Sequence, residues 1–202
     1  MAAGPPLATE PIGEVIESST RQMVFECWEG REPAPVGSLI QAVWGDFRVI
    51  GVVISVRQVS RDPLREPIAF GHLPDELLTQ QPQLPLLLSI QGTALCLGQG
   101  KGSSPLTAQI PEKPAPLHST VSLLPKAEVC SFSRQWAFLQ ILFLHRPELF
   151  DHLLLSLCRW SYEANDRDPR YLTDFGKALT PLLRRDYPRL RLLLRQLEDL
   201  VP

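Results

Sequence analysis

Cysteine is scarce in this sequence and widely spaced. Cys27, Cys96, Cys130 and Cys158 form no Cys-x-x-Cys pair, which argues against a zinc ribbon or a dithiol redox motif. All but Cys130 sit in apolar patterns, so buried free thiols are expected and metal ligation is not. No apolar run reaches the roughly 18 residues that a membrane helix needs; the stretches 84–88 and 136–144 are too short. The opening MAAGPPLATE lacks the basic region and apolar centre of a signal peptide. A cytoplasmic, reducing location is therefore expected. Charge of one sign is missing too: 20 Lys and Arg stand against 22 Asp and Glu, a net of -2. That balance gives no overall attraction to nucleic acid or membrane.

Recognisable chemistry is equally thin. There is no Gly-x-Ser-x-Gly, His-Glu-x-x-His or glycine-rich dinucleotide turn. Residues 98–104 hold three glycines and one lysine, but a phosphate loop needs Gly-Lys-Ser or Gly-Lys-Thr between a strand and a helix. Here Gly102 follows Lys101 and Pro105 interrupts, so a flexible surface loop is expected. Of the histidines, His72, His118, His145 and His152, only the last two are near each other in sequence, and Pro147 lies between them. His118, beside Pro116, reads as loop scaffolding. Asp166 and Asp168, next to Asn165 and Pro169, read as loop and helix-cap residues rather than metal ligands. No catalytic, cofactor-binding or metal-ligating residue is assigned.

Short strands dominate the first part of the chain. Residues 14–17, 23–28, 38–43 and 47–56 are rich in β-branched and aromatic side chains and are separated by Gly, Pro, Asp and Ser. Gly45-Asp46 suits a tight hairpin. Gly51 inside a strand marks a bend or bulge. Several such strands cannot each bury a face alone, and closing the sheet solves both burial and edge exposure. Residues 86–90 and 93–97 predict another hairpin, turning at Gln91-Gly92. Pro74 to Leu78 suggests one helical turn.

The order Gly13-x-Val15, Ser18-Ser19-Thr20, Phe25-x-Cys27, Pro35-Val36-Gly37-Ser38-Leu39-Ile40 and Val49-Ile50-Gly51-Val52-Val53 resembles the HAS-barrel. That small six-stranded barrel precedes the nucleotide-binding domain in HerA-type ATPases and in ATP synthase head subunits. The resemblance covers Pro11 to about Arg61, and Leu117 to Ala127 more loosely. It implies a final strand after the proline-rich 111–116, near Pro116-Leu117-His118-Ser119-Thr120-Val121. This chain lacks the Walker lysine and the length for the ATPase domain. What the resemblance implies is docking or assembly, not ATP hydrolysis, with a link to nucleic acid through the nuclease partner of the HerA-like proteins.

Beyond Cys130 the period becomes helical. Residues 133–145 are apolar on nearly all sides. Leu149, Phe150, Leu153, Leu154, Leu157 and Trp160 form one stripe after Pro147, with Glu148 and Asp151 in the first turn. Tyr171, Leu172, Phe175, Leu179, Leu182 and Leu183 form the next, behind an Asp168-Pro169 start and stopped or kinked by Pro181. Leu190, Leu193, Leu194, Leu197 and Val201 form the last, from Pro188. The expected fold is a small closed antiparallel β-barrel over 11–128, then a bundle of about four short helices over 129–202, with 1–10 as a flexible tail.

One charge cluster has functional weight. Arg184, Arg185, Arg189, Arg191 and Arg195 fall close together, countered there by Asp186, whereas Glu10, Glu14, Glu17, Glu26 and Glu29 outweigh Arg21 near the start. Arg184, Arg191 and Arg195 share a face if the helix is nearly continuous. The cluster can be a solvated face over leucines, a surface for an acidic protein, or a phosphate-backbone contact. The expectation is a non-enzymatic adaptor or assembly factor that binds protein partners through barrel and helices, with self-association through the barrel possible. The alternatives are a nucleic-acid-associated accessory protein and a small enzyme with an unrecognised site.

Overall fold

The computed structural model describes residues 10–62, 68–71, 76, 79–145 and 150–199. Six strands, β1 (Pro11–Ser18), β2 (Gln22–Cys27), β3 (Leu39–Trp44), β4 (Phe47–Ser60), β5 (Leu88–Lys101) and β6 (Thr120–Leu123), close into an antiparallel barrel in the order β1-β2-β5-β4-β3-β6. Five helices follow: α1 (Lys126–Phe132), α2 (Ala137–His145), α3 (Phe150–Ala164), α4 (Pro169–Leu179) and α5 (Tyr187–Glu198). The short α1 lies where the sequence reading ended the barrel. The expected turn at 74–78 and the helix start at Pro147 and Glu148 lie outside the described residues, except for Glu76.

Alternate side chains of the barrel have different fates. Val15, Met23, Phe25, Ile40, Val53, Ala94, Cys96 and Val121 fill its interior. Leu39, Ile50, Val52, Leu95 and Leu97 face outward and join Val129, Phe132, Leu154, Leu157 and Phe175 in a second, continuous apolar cluster with the helices. Residues 39–40 of β3, 49–53 of β4 and 94–97 of β5 carry no polar side chain on either face because both faces are buried. Each fully buried Leu or Val in that seam is worth roughly 1.5–3 kcal/mol.

The predicted hairpin at Gln91-Gly92 does not exist. Residues 88–101 run as one strand, and Gly98 and Gly100, expected in a loop, are part of it. These glycines supply space. A Cβ on Gly92 would come within 2.1 Å of the Phe25 ring, one on Gly98 within 2.6 Å of Phe132, and one on Gly100 within 2.6 Å of Leu106. The hairpin at Gly45-Asp46 does form, with Gly45 at φ 60° in the first central position. The register slips between Ile50 and Gly51, the irregularity that the glycine suggested.

The barrel also has an internal two-fold pattern. Strand β1 pairs with β2 through Gly13–Cys27, Glu14–Glu26 and Val15–Phe25, slips, then resumes at Glu17–Val24 and Ser18–Met23. Strand β4 pairs with β5 through Gly51–Cys96, Val52–Leu95 and Val53–Ala94, slips, then resumes at Ser55–Thr93 and Val56–Gly92. The third strands match as well. Ala34-Pro35-Val36-Gly37-Ser38 leads into β3, and Ala115-Pro116-Leu117-His118-Ser119 leads into β6. In each turn the serine N–H and Oγ donate to the proline carbonyl, at 3.1 and 2.6 Å in both. Gly37 N–H donates to Val53 O, and Val53 N–H to Ser38 O; His118 N–H donates to Val15 O, and Val15 N–H to Ser119 O. One half of the barrel is therefore β3-β4-β5 and the other β6-β1-β2, related by a pseudo-two-fold axis through Gln41–Ser122 and Val24–Thr93.

Two polar clamps orient the helices. The Arg48 guanidinium donates to both Glu128 oxygens on α1 and to Gln41 Oε1 at 2.6 Å, and Gln41 Nε2 donates to Ser122 Oγ at 3.0 Å. Within the bundle, Arg134 Nε donates to Asn165 Oδ1 at 3.1 Å, and Asn165 Nδ2 donates to Ser161 O at 2.8 Å. The enclosed Tyr171 hydroxyl lies beside the Ser133 and Ser161 hydroxyls, close enough to feel both, without completing a well-formed hydrogen bond.

Candidate protein-docking surfaces

The arginine cluster is built on and around α5. Asp186 caps that helix by accepting from Arg189 N–H at 3.2 Å, and Pro188 occupies its first turn. Leu190, Leu193 and Leu197 point into the core. Helix α4 ends at Leu179, so a non-helical link carrying Pro181, Arg184 and Arg185 separates it from α5. Arg184 is consequently not on one continuous helical face with Arg191 and Arg195.

The five arginines divide into two sorts. Arg189 turns inward: its Nε lies 3.0 Å from both Asp151 oxygens, and its guanidinium sits 5.5 Å from the Phe150 ring centroid. The hydrogen bond to Asp151 raises the Arg189 pKa most; burial, the next effect in size, lowers it, and the charges of Asp151 and Asp186 raise it further. Arg184, Arg185, Arg191 and Arg195 are exposed and have no ion-pair partner among the described residues. Arg191 and Arg195 stand one turn apart on the outer face of α5. With Tyr187, Pro188, Leu192, Leu194 and Glu198 they line an open depression of about 630 Å³. Tyr187 is 69% exposed and Leu192 57%. These two were missed in the sequence; Leu192 lay inside a leucine-rich run, and only the burial of its neighbours on the opposite face singles it out.

The barrel offers a second surface on its β6-β1-β2 half. His118 holds a left-handed backbone, φ 63°, at the position where the sister turn has Gly37. Its Nδ1 lies 3.1 Å from Glu14 Oε2. Beside this pair Leu117 is 53% exposed, and Ile16 and Glu17 also face solvent. On the other half the equivalent turn is covered: a Cβ on Gly37 would lie 2.4 Å from Ser156 Cβ and 2.7 Å from its carbonyl carbon on α3.

Other polar groupings are structural or open. A cleft of about 540 Å³ between the Pro35-Val36 turn and the helices is lined by His152, Arg159, Trp160 and Glu163. The side chain of His145 lies outside the described residues. Asp168 caps α4 by accepting from Arg170 N–H at 3.0 Å, and Asp166 pairs with Lys126. No three His, Cys, Asp or Glu side chains among the described residues gather as metal ligands would. None of the helices so described is long and apolar enough to cross a membrane. All four cysteines are free, with Cys130 half-buried and the others buried.

Comparison with known proteins finds no protein family that matches this chain, and no curated protein similar to it.

Proposed function

We propose that this chain is a non-enzymatic adaptor or assembly factor of the cytoplasm that binds protein partners through its helical and barrel surfaces. The single observation that carries the reading is the outer face of α5, where exposed Tyr187 and Leu192 lie among Arg191 and Arg195, which have no ion-pair partner among the described residues. Large apolar side chains ringed by cations suit an acidic, amphipathic protein segment: the apolar groups supply contact area and the arginines direct it. The resemblance of residues 11–61 to the HAS-barrel, a domain associated with assembly, supports the same reading. In that case the helical bundle stands where relatives of the barrel carry an ATPase.

The test is capture of the tagged full chain from native extract, with and without nuclease, beside Arg191→Glu/Arg195→Glu. A defined protein set that survives nuclease and is lost with the double variant is the expected result. Retention of the same set by the double variant contradicts this role for α5. A second reading, phosphate-backbone contact, draws on the four exposed arginines at this end of the molecule. It predicts binding to a duplex or single strand that weakens steeply with salt and partners that disappear with nuclease.

A further inference from the structure

We propose that the outer face of α5 docks on the β6-β1-β2 half of the barrel of a second copy of this chain, head to tail. The inference rests on the docking role given to α5 above and names the partner. The two halves of the barrel share a backbone but differ in what covers them. Outward positions Leu39, Val52 and Leu95 lie beneath the chain's own helices. Their pseudo-symmetric counterparts, by the matched pairings, are Thr120, Glu14 and Glu26. Replacing two aliphatic side chains by carboxylates converts a site for permanent burial into one for a wetter contact.

Charge chooses the occupant. The open half presents Glu14 and Glu17 with the exposed Ile16 and Leu117, while α5 presents Arg191 and Arg195 with the exposed Tyr187 and Leu192. Each face carries a minority charge, Glu198 on the helix and Arg21 in the turn before β2, which favours one direction of docking over its reverse. Within one chain the two faces cannot meet, because Leu190, Leu193 and Leu197 hold α5 in the core on the covered half. A contact between unlike faces leaves one of each free, so the assembly extends or closes as a ring. His118 fits this role. Gly37 lets the α3 backbone approach closely, whereas an imidazole at the equivalent place keeps a visiting helix at side-chain distance.

Sedimentation velocity on the purified full chain, from low micromolar to about 100 μM, tests the proposal. The weight-average mass is expected to rise above the 22.7 kDa monomer with concentration, and the Kd to rise about tenfold as salt is raised. Glu14→Arg/Glu17→Arg and Arg191→Glu/Arg195→Glu should each raise the Kd by about 100-fold or more. An equimolar mixture of the two should associate again, because each supplies the face that the other has lost. A monomer at every concentration, or association that neither variant weakens, overturns head-to-tail docking. If extract partners are still lost with Arg191→Glu/Arg195→Glu in that event, the adaptor reading stands without it.

Discussion

Arg189, Arg191 and Arg195 belong to one short helix, yet they should respond differently to substitution. Arg189 joins α5 to Asp151 and Phe150, a partly exposed ion pair with a cation–π contact. Arg189→Ala is expected to lower stability by about 1 kcal/mol and leave partner capture unchanged. Arg191→Glu/Arg195→Glu should keep the urea midpoint within about 0.5 kcal/mol of the parent and abolish capture. The reverse pattern would assign docking to the wrong arginines. The buried thiols define a second expectation. Burial lifts Cys96 and Cys158 from 9.0 to about 12, so between those pH values the unfolded chain loses protons that the native chain keeps. Their stabilising effect is complete below pH 9 and falls as pH rises through the window, by up to about 1.4 kcal/mol per unit for each thiol. The Tyr171 phenol, also raised chiefly by burial, has the same sign above pH 10. Urea midpoints at pH 8 and 10.5 check this; equal values would mean that water reaches these groups.

Among the elements, the turn before β3 couples the barrel to the bundle. Gly37 has φ 89° and lies against α3. A methyl group there adds backbone strain of roughly 1–2 kcal/mol to overpacking of about 1–3 kcal/mol. Gly37→Ala should therefore cost about 2–5 kcal/mol in urea unfolding and loosen α3 in hydrogen exchange. At the sister turn His118→Gly relieves left-handed strain and should raise stability by about 1 kcal/mol; a loss would show that the Glu14 contact outweighs the strain. These turns also show what could be read from the sequence. Strands β1 to β4 and the helix stripes were legible because their periodicity and breakers agree. Strand β5 was not, because Gly92, Gly98 and Gly100 look like breakers until Phe25, Phe132 and Leu106 are placed over them. The Ala-Pro-x-x-Ser repeat before β3 and β6 was present in the sequence, but its meaning depends on strand pairings between distant segments. The arginine cluster was legible as a cluster, whereas sorting its members required Asp151 from another helix.

At the scale of the whole molecule, a pseudo-symmetric barrel is used asymmetrically. One half is sealed by α1 to α5 through a shared apolar cluster and the Arg48–Glu128 clamp. Among the described residues, the face of β1 around Ile16 and Glu17 and the outer face of α5 are exposed, with opposite charge and exposed apolar side chains. Cells need not contain a second ligand for such a molecule to assemble, but an adaptor reading requires that these faces be covered in its complexes. Hydrogen–deuterium exchange on the chain in its captured, nuclease-resistant complex, compared with the dilute purified chain, measures that coverage directly. The expected result is slowed exchange in α5 and, where a second copy is present, in β1 and the turn before β6, with the already sealed β3 unchanged. Unchanged exchange in α5, with protection confined elsewhere, would contradict the proposed function.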